Sequence, residues 1–187
     1  MDEIELIQSL RKGDEVAFKF LVDNYQDRVF NTAIGIVQNA EDAEDVAQEV
    51  FIQVFRSIQS FKAESKLSTW IYRITTTRAL DHLRSRKSKK RFGILQRLFG
   101  DDNEALFEVP DFNHPGVALD HKENAAHLFK AIDKLPENQR IAFILHKIEG
   151  LSYQEISEIM KTSVAAIESM MHRAKQNLRK ILEKDTG

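Results

Sequence analysis

Six histidines, His82, His114, His121, His127, His146 and His172, are the first place to look for chemistry in this chain. No two of them stand at the H-E-x-x-H spacing that lets two imidazoles on one helix face share a metal ion. His121, Glu123 and His127 come nearest to a ligand set and read instead as a solvated helix end. The chain has no cysteine, which excludes disulfides, thiolate metal sites and cysteine nucleophiles. It also lacks a P-loop, a G-x-G-x-x-G and a G-x-S-x-G. Enzymatic chemistry has no foothold, and neither a metal nor a cofactor is expected. The residues with chemistry to offer are those that bind.

From Phe61 to Arg91 basic and aromatic side chains are interleaved: Phe61, Trp70 and Tyr72 stand among Lys62, Lys66, Arg73, Arg78, Arg84, Arg86 and Lys87. Cations attract a phosphate backbone, and aromatic faces stack on unpaired bases at about 1–3 kcal/mol per base. The alternative is that Trp70, Ile71, Ile74 and Leu80 are core and only shape the surface, in which case the polar residues Ser65, Lys66, Ser68 and Thr69 are the better candidates for base contact. A second surface lies upstream. Glu41, Asp42, Glu44, Asp45 and Glu49 crowd one short stretch, and such a face repels DNA. Asp45 and Gln48 beside Val46, Val50 and Phe51 suggest a mixed polar and apolar surface for a protein partner.

The third feature is Leu151 to Leu182. Ser152 and Glu155 form an S-x-x-E capping box opening a short helix with Ile156, Ile159 and Met160 on its apolar face. Lys161, Thr162 and Ser163 make a polar break, with Ser163 a good N-cap for the next helix. Ile167, Met171, Ala174, Leu178 and Ile181 then recur at helical spacing, with Arg173, Lys175, Arg179 and Lys180 adding positive charge. A capped short helix, a tight turn and a longer helix with a basic end form a helix-turn-helix pattern, whose second helix enters the DNA major groove. An ordinary helical hairpin is the bland alternative.

The elements that position these features are helical throughout. With 187 residues, 42% of them hydrophobic, and only seven Gly and three Pro, the chain has enough for a core of one or two domains. Helical periodicity runs from Ile4 to Leu10, from Val16 to Val37, from about Ala40 to Ser57 and from about Ser68 to Arg86, and resumes over Ala125–Leu135 and Gln139–Ile148. Asn39 breaks the second helix. Gly100 to Gly116 holds two of the three prolines and no Lys or Arg, the composition of a linker. The net charge of −2 conceals blocks of about −7 (1–60), +9 (61–100), −6 (101–120) and +2 (121–187). Screening confines a charge to within about 8–10 Å, so the blocks can serve different partners. The fold class is all-α: two helical domains, an N-terminal bundle over 1–93 and a C-terminal helix-turn-helix over 121–187, joined by an acidic flexible linker over 94–120. The acidic N-terminus is unlike a signal peptide, and no stretch has the length of a membrane span, so a cytoplasmic protein with no direct membrane insertion is expected.

Two sets of motifs carry a resemblance. D-x-x-A-F-x-x-L at Asp14–Leu21, DAEDVAQEVFIQVF at Asp42–Phe55, and STWIYRI at Ser68–Ile74 followed by ALD at Ala79–Asp81 resemble the second conserved region of bacterial sigma factors. LPENQRIAFILHKIEGLSYQEISEIM and HRAK, within residues 135–175, resemble the fourth. With a short acidic linker in place of a folded third region, the chain is similar to the extracytoplasmic-function (ECF) group of the sigma-70 family. The resemblance implies a transcription initiation subunit that binds core RNA polymerase and promoter DNA and is held by an anti-sigma factor. It places core-polymerase contact on Asp45, Gln48, Glu49, Phe51 and Ile52, at the coiled coil of the largest subunit. It places minus-ten contact on Phe61 to Arg78, with Lys62, Ser65, Lys66, Ser68, Thr69, Trp70 and Arg73 among them; the positive charge of the segment itself puts phosphate contact on Arg73, Arg84 and Arg86. The minus-thirty-five reader falls within residues 152–176: Thr162, Ser163, Ala166, Glu168, Ser169, His172 and Arg173.

Three positions depart from the family pattern. Thr77 stands where Asn is frequent, and Glu168 and Met170 stand where basic residues are usual. Glu168 repels phosphate but can accept a hydrogen bond from a cytosine amino group. The promoter sequence is left open. The rival readings are a stand-alone helix-turn-helix repressor or activator, which would favour palindromic half-sites, and a sequestering factor without promoter activity.

Overall fold

The computed structural model of the protein describes residues 2–98 and 122–185. Among these described residues eight α-helices follow one another: α1 (Glu3–Arg11), α2 (Glu15–Val37), α3 (Ala40–Ser57), α4 (Leu67–Leu98), α5 (Lys122–Asp133), α6 (Glu137–Lys147), α7 (Tyr153–Met160) and α8 (Val164–Asp185). A 3-10 turn, Ile58–Ser60, follows α3. Among the described residues there is no strand. Helix α4 continues beyond residue 93, and the acidic segment 101–120 lies outside the described residues.

Short polar residues set the boundaries. Asp2 and Glu5 form a capping box on α1, and Asp14 accepts from the amides of Val16 and Ala17 to start α2. The expected break at Asn39 is a two-residue device. Gln38 takes the left-handed conformation (φ 57°) and ends α2, and Asn39 then accepts from the amide of Asp42 at 2.8 Å to start α3. These side chains satisfy backbone N–H groups that lack an intrahelical partner.

Helices α2, α3 and α4 form the N-terminal bundle around Leu21, Val29, Val46, Val50, Val54, Leu67 and Ile71. Ala43, Val46, Val50 and Val54 recur at three and four residues, which turns one face of α3 inward and leaves the acidic face to solvent. On α4, Thr75 lies in the core because its hydroxyl donates to the Ile71 carbonyl at 2.9 Å. Helix α1 braces the following loop: the Leu67 amide donates to Glu3 Oε1 at 3.1 Å, and Arg11 donates to the Phe61 carbonyl. In the C-terminal unit, Ile144, Leu145, Ile156, Ile167 and Met171 are fully enclosed.

The two units meet along α2. Residues 32–38 are buried on every side, because α3 and α4 cover one face and α6 the other. A helix that is apolar all round needs partners all round. At Gly35 a Cβ would stand 3.0 Å from Ile144 Cγ2, so the absence of a side chain lets α6 approach. That explains a glycine inside a helix, where it costs about 0.5–1 kcal/mol relative to alanine. Buried Arg140 ties this junction together. It pairs with Asp133 Oδ1 at 3.0 Å and donates to the carbonyls of Asp133 and Leu135, at the end of α5, and of Ile36, in α2.

Candidate polymerase and nucleic-acid interfaces

The acidic helix α3 presents Asp45, Gln48, Glu49 and Ile52 to solvent, and Phe51 is half-buried at the edge of the core. Ile52 and Phe55 are 49% and 53% exposed, unusual for large apolar side chains on a helix whose other face is fully packed. Phe18 of α2 supports Phe55 edge-on at 5.3 Å between ring centroids. Beside them, Val22, Gln26 and Phe30 of α2 and Ala47, Gln48 and Phe51 of α3 line an open groove of roughly 610 Å³. Of the five residues expected at a core-polymerase contact, Asp45, Gln48, Glu49 and Ile52 thus share one exposed face, with Phe51 at its edge in the groove, whose lining also includes Asp27, Asn31 and Glu44.

The basic-aromatic segment divides into an inside and an outside. Phe61 is 5% exposed and stacks on half-buried Trp70 at 4.8 Å and 29°. Thr69 is 3% exposed, on the inner face of α4. In this arrangement Phe61, Thr69 and Trp70 hold the loop from beneath, as the alternative reading of the aromatics had it for Trp70. Lys62 and Lys66 are exposed, and Ser65 and Ser68 are half-buried around a turn in which Ala63 has φ 56°. The arginines are engaged. Arg73 donates to the Glu158 carbonyl at 2.8 Å, and its buried Nε has no hydrogen-bond partner among the described residues. Arg84 bridges Asp81 at 3.6 Å and Glu137 at 3.4 Å, and Arg86 pairs with Asp42 at 2.6 Å. His82 Nε2 meets the same Asp42 at 3.0 Å, so that one carboxylate of α3 holds two side chains of α4.

The helix-turn-helix is built as its sequence implies. The Ser152 hydroxyl accepts from the Glu155 amide at 3.2 Å, and the Glu155 carboxylate accepts from the Ser152 amide at 2.9 Å. These bonds, the backbone one first, hold the Glu155 carboxyl below its ordinary range. Lys161, with φ 53°, ends α7, and Ser163 accepts from the Ala166 amide at 3.1 Å to start α8. Ile167, Met171, Ala174 and Leu178 point inward. Glu168, Ser169, His172 and Arg173 are exposed at positions three and four apart, one continuous face. Ser163 at the helix start is exposed, and Thr162 and Ala166 are half-buried beside it.

Residues that the sequence reading passed over lie where the units touch. The Tyr72 hydroxyl donates to Glu149 Oε2 at 2.8 Å, and Gln38 Nε2 donates to the Phe129 carbonyl at 2.8 Å. Burial, chiefly, raises both the Tyr72 hydroxyl and the Glu149 carboxyl above their ordinary pKa values. Their sequence signal was the unbroken apolar run Ala33–Val37, which is more than a small amphipathic bundle requires.

Residues 21–89 match the Sigma-70 region 2 family and residues 127–178 match Sigma-70, region 4. The RNA polymerase sigma-H factor of Pseudomonas aeruginosa is 32% identical over 179 residues, 96% of this chain and 93% of that protein. The ECF RNA polymerase sigma factor SigW of Bacillus subtilis is 34% identical over 178 residues, 94% of each. The chain belongs to the ECF group of the sigma-70 family. Its fold agrees with those of two solved structures. The complex of CnrH with the cytosolic domain of CnrY gives a TM-score of 0.71 at 20% identity, covering 98% of each chain. The sigma factor RpoE of Bartonella quintana, solved with the anti-sigma factor NepR, gives 0.61 at 21% identity, covering 89% of this chain and 96% of that one. As a sigma factor the chain is a transcription initiation subunit with a DNA-binding helix-turn-helix in its region 4. Among the described residues, no helix is long and apolar enough to cross a membrane, and no group of His, Asp and Glu could hold a metal ion.

Proposed function

We propose that the division of labour within this sigma factor follows its three surfaces. The face of α3, with Asp45, Gln48, Glu49, Phe51 and Ile52, docks on the coiled coil of the polymerase's largest subunit. Lys62, Ser65 and Lys66 of the loop before α4, with Ser68 in its first turn, meet the unpaired minus-ten strand over the Phe61–Trp70 stack, with Arg73, Arg84 and Arg86 on its phosphates. The exposed face of α8 reads the minus-thirty-five element in the major groove. The chain catalyses no covalent step and works in the cytoplasm. Opening of the duplex, which costs a few kcal/mol per extracted base, is offset by polymerase contacts and by trapping the flipped base. Control by an anti-sigma factor is part of this reading, supported by the protein partners of CnrH and RpoE.

The observation that carries the proposal is the exposed acidic and apolar face of α3, a surface that a self-sufficient DNA-binding repressor has no use for. Reversing charge there, with Asp45→Lys and Gln48→Lys together, should weaken the complex with core polymerase by about tenfold or more while leaving the helical fold intact. Run-off transcription with core enzyme should then require the wild-type chain and fail with the double variant. Unchanged core affinity in the double variant would remove α3 from the interface. Transcription that is indifferent to the protein would remove the whole reading.

A further inference from the structure

The loop that carries Lys62, Ser65 and Lys66 is held at both ends by one helix. At its start the Arg11 guanidinium donates to the Phe61 carbonyl, and the Arg11 carbonyl in turn accepts from Gln59 Nε2. At its end the amide of Leu67, the first residue of α4, donates to Glu3 Oε1 at 3.1 Å. Glu3 thus caps α4 from outside, at a helix start whose first amides have no intrahelical partner. Glu3 and Arg11 are the first and last residues of α1, which lies outside the residues that match region 2. Nine residues long, α1 sets these two anchors about 12 Å apart along its axis.

The anchoring helix is itself fixed. Leu6, Ile7 and Leu10 are buried, and Asp2 and Glu5 close a capping box around its first turn. A helix this short is marginal alone, so packing is what makes it a rigid brace. Between the anchors the backbone needs holding. Ala63 takes φ 56°, the left-handed region in which a Cβ is strained, and such a residue persists where its surroundings over-determine it. The tie from Lys66 Nζ to Glu155, at 3.8 Å, joins side chains that are 70% and 36% exposed, and such a pair holds weakly. The chain from Phe61 to Leu67 could extend to roughly 20 Å, well beyond the anchor spacing, so freed of α1 it has slack.

We infer that α1 is a specificity element: Glu3 and Arg11 are positioning residues that fix the backbone of the loop 61–67 and so decide how sharply it reads an unpaired base. The inference rests on the reading of that loop as the minus-ten contact. Neither side chain need touch DNA. Bases are told apart by polar groups set in place beforehand. A loop about 1 Å too loose still binds a strand by charge, through Lys62 and Lys66, but takes the wrong base nearly as well as the right one. Loss of the anchors therefore shows in selectivity before it shows in affinity.

The test uses holoenzyme made from core polymerase and the full chain, offered a pool of single strands randomised over the minus-ten positions. Sequencing the bound strands gives the ratio of most to least favoured base at the best-read position, about tenfold or more in wild type. Glu3→Ala with Arg11→Ala should bring that ratio to about threefold or less. Core affinity, carried by α3, should stay within about twofold. Glu3→Ala alone, at an exposed side chain, should lower the ratio by about threefold or more, and serves if the double variant fails to fold. Glu3→Gln keeps an oxygen acceptor for the Leu67 amide and should hold the wild-type ratio within about twofold, a rescue that general destabilisation would not predict. A double variant that discriminates as sharply as wild type overturns the inference. So does a Glu3→Gln variant that loses as much selectivity as Glu3→Ala. Ser65→Ala with Lys66→Ala tests the loop itself: if the preferred base is then unchanged, it is the minus-ten reading of the loop that has failed, and not its anchoring.

Discussion

Glu168 stands on the exposed face of α8, flanked by Ser169 and followed one turn later by His172 and Arg173. Its position makes it an unusual presence on a surface facing phosphate. The carboxylate repels the duplex at long range, and at contact distance it can accept from a cytosine amino group. Glu168→Lys should therefore tighten binding to promoter-length duplex by about 1 kcal/mol or less, because the site is solvated and screened. It should also relax sequence preference if Glu168 reads a base. Titration of duplexes differing at one base pair checks both, and a variant that no longer binds would give Glu168 a direct readout role. Individual residues of this kind were legible beforehand wherever type and spacing sufficed: the face holding Glu168, Ser169, His172 and Arg173 follows from helical period alone. What one residue's type cannot reveal is which way a ring or hydroxyl turns. Phe61 and Thr69, attractive as base contacts on composition, are 5% and 3% exposed: Phe61 is packed under the Trp70 ring with its carbonyl held by Arg11 of α1, and Thr69 faces inward from α4.

At the scale of elements the boundaries were written in caps. Asp14, Asn39, Ser152 and Ser163 each precede a helix in the sequence and each accepts an amide proton at its start. The helix-turn-helix depends on the box at Ser152, since α7 is only eight residues long and contributes few intrahelical bonds of its own. Ser152→Ala should lower stability to urea by about 1 kcal/mol. Because Ile156 and Ile159 of α7 share a core with Ile167 and Met171 of α8, duplex affinity should fall in parallel. The contribution of Glu155 has a defined sign. Its carboxyl is held low by Ser152, so its support is present above the ordinary carboxylate range and fades as pH falls through the lowered value. A stability difference between wild type and Ser152→Ala that failed to narrow in acid would argue that the box is not what anchors α7. The end of α4 was less legible. Its basic run, Arg84 to Arg91, has little apolar period to follow, yet the helix carries on to Leu98.

On the scale of the whole molecule, two helical units in series could be read from the sequence, but their meeting could not, because pattern fixes each helix's inner face without naming who covers the outer one. The run Thr32–Gln38, buried all round, held that information without saying which partner it wanted. At the junction Glu149 is half-buried and accepts from the Tyr72 hydroxyl, and that bond and, less, Arg28 pull its pKa partly back down. Burial dominates, so the carboxyl is raised above the ordinary carboxylate range. The sign follows from linkage. A raised carboxyl binds its proton more tightly in the folded molecule, so its stabilisation is fully present below the ordinary value and is lost as pH rises through the raised one. At neutral pH the charge at the junction works against the fold. Glu149→Gln keeps an oxygen for the Tyr72 hydroxyl and removes that charge, so it should raise the thermal midpoint at pH 7. The advantage should shrink as pH is lowered towards 4, where the wild-type side chain is itself neutral. Other carboxylates titrate in both proteins and cancel in the difference. Melting curves of the two proteins between pH 4 and pH 8 measure it directly, and a difference that grew in acid would mean that Glu149 serves the junction as an anion rather than in spite of being one.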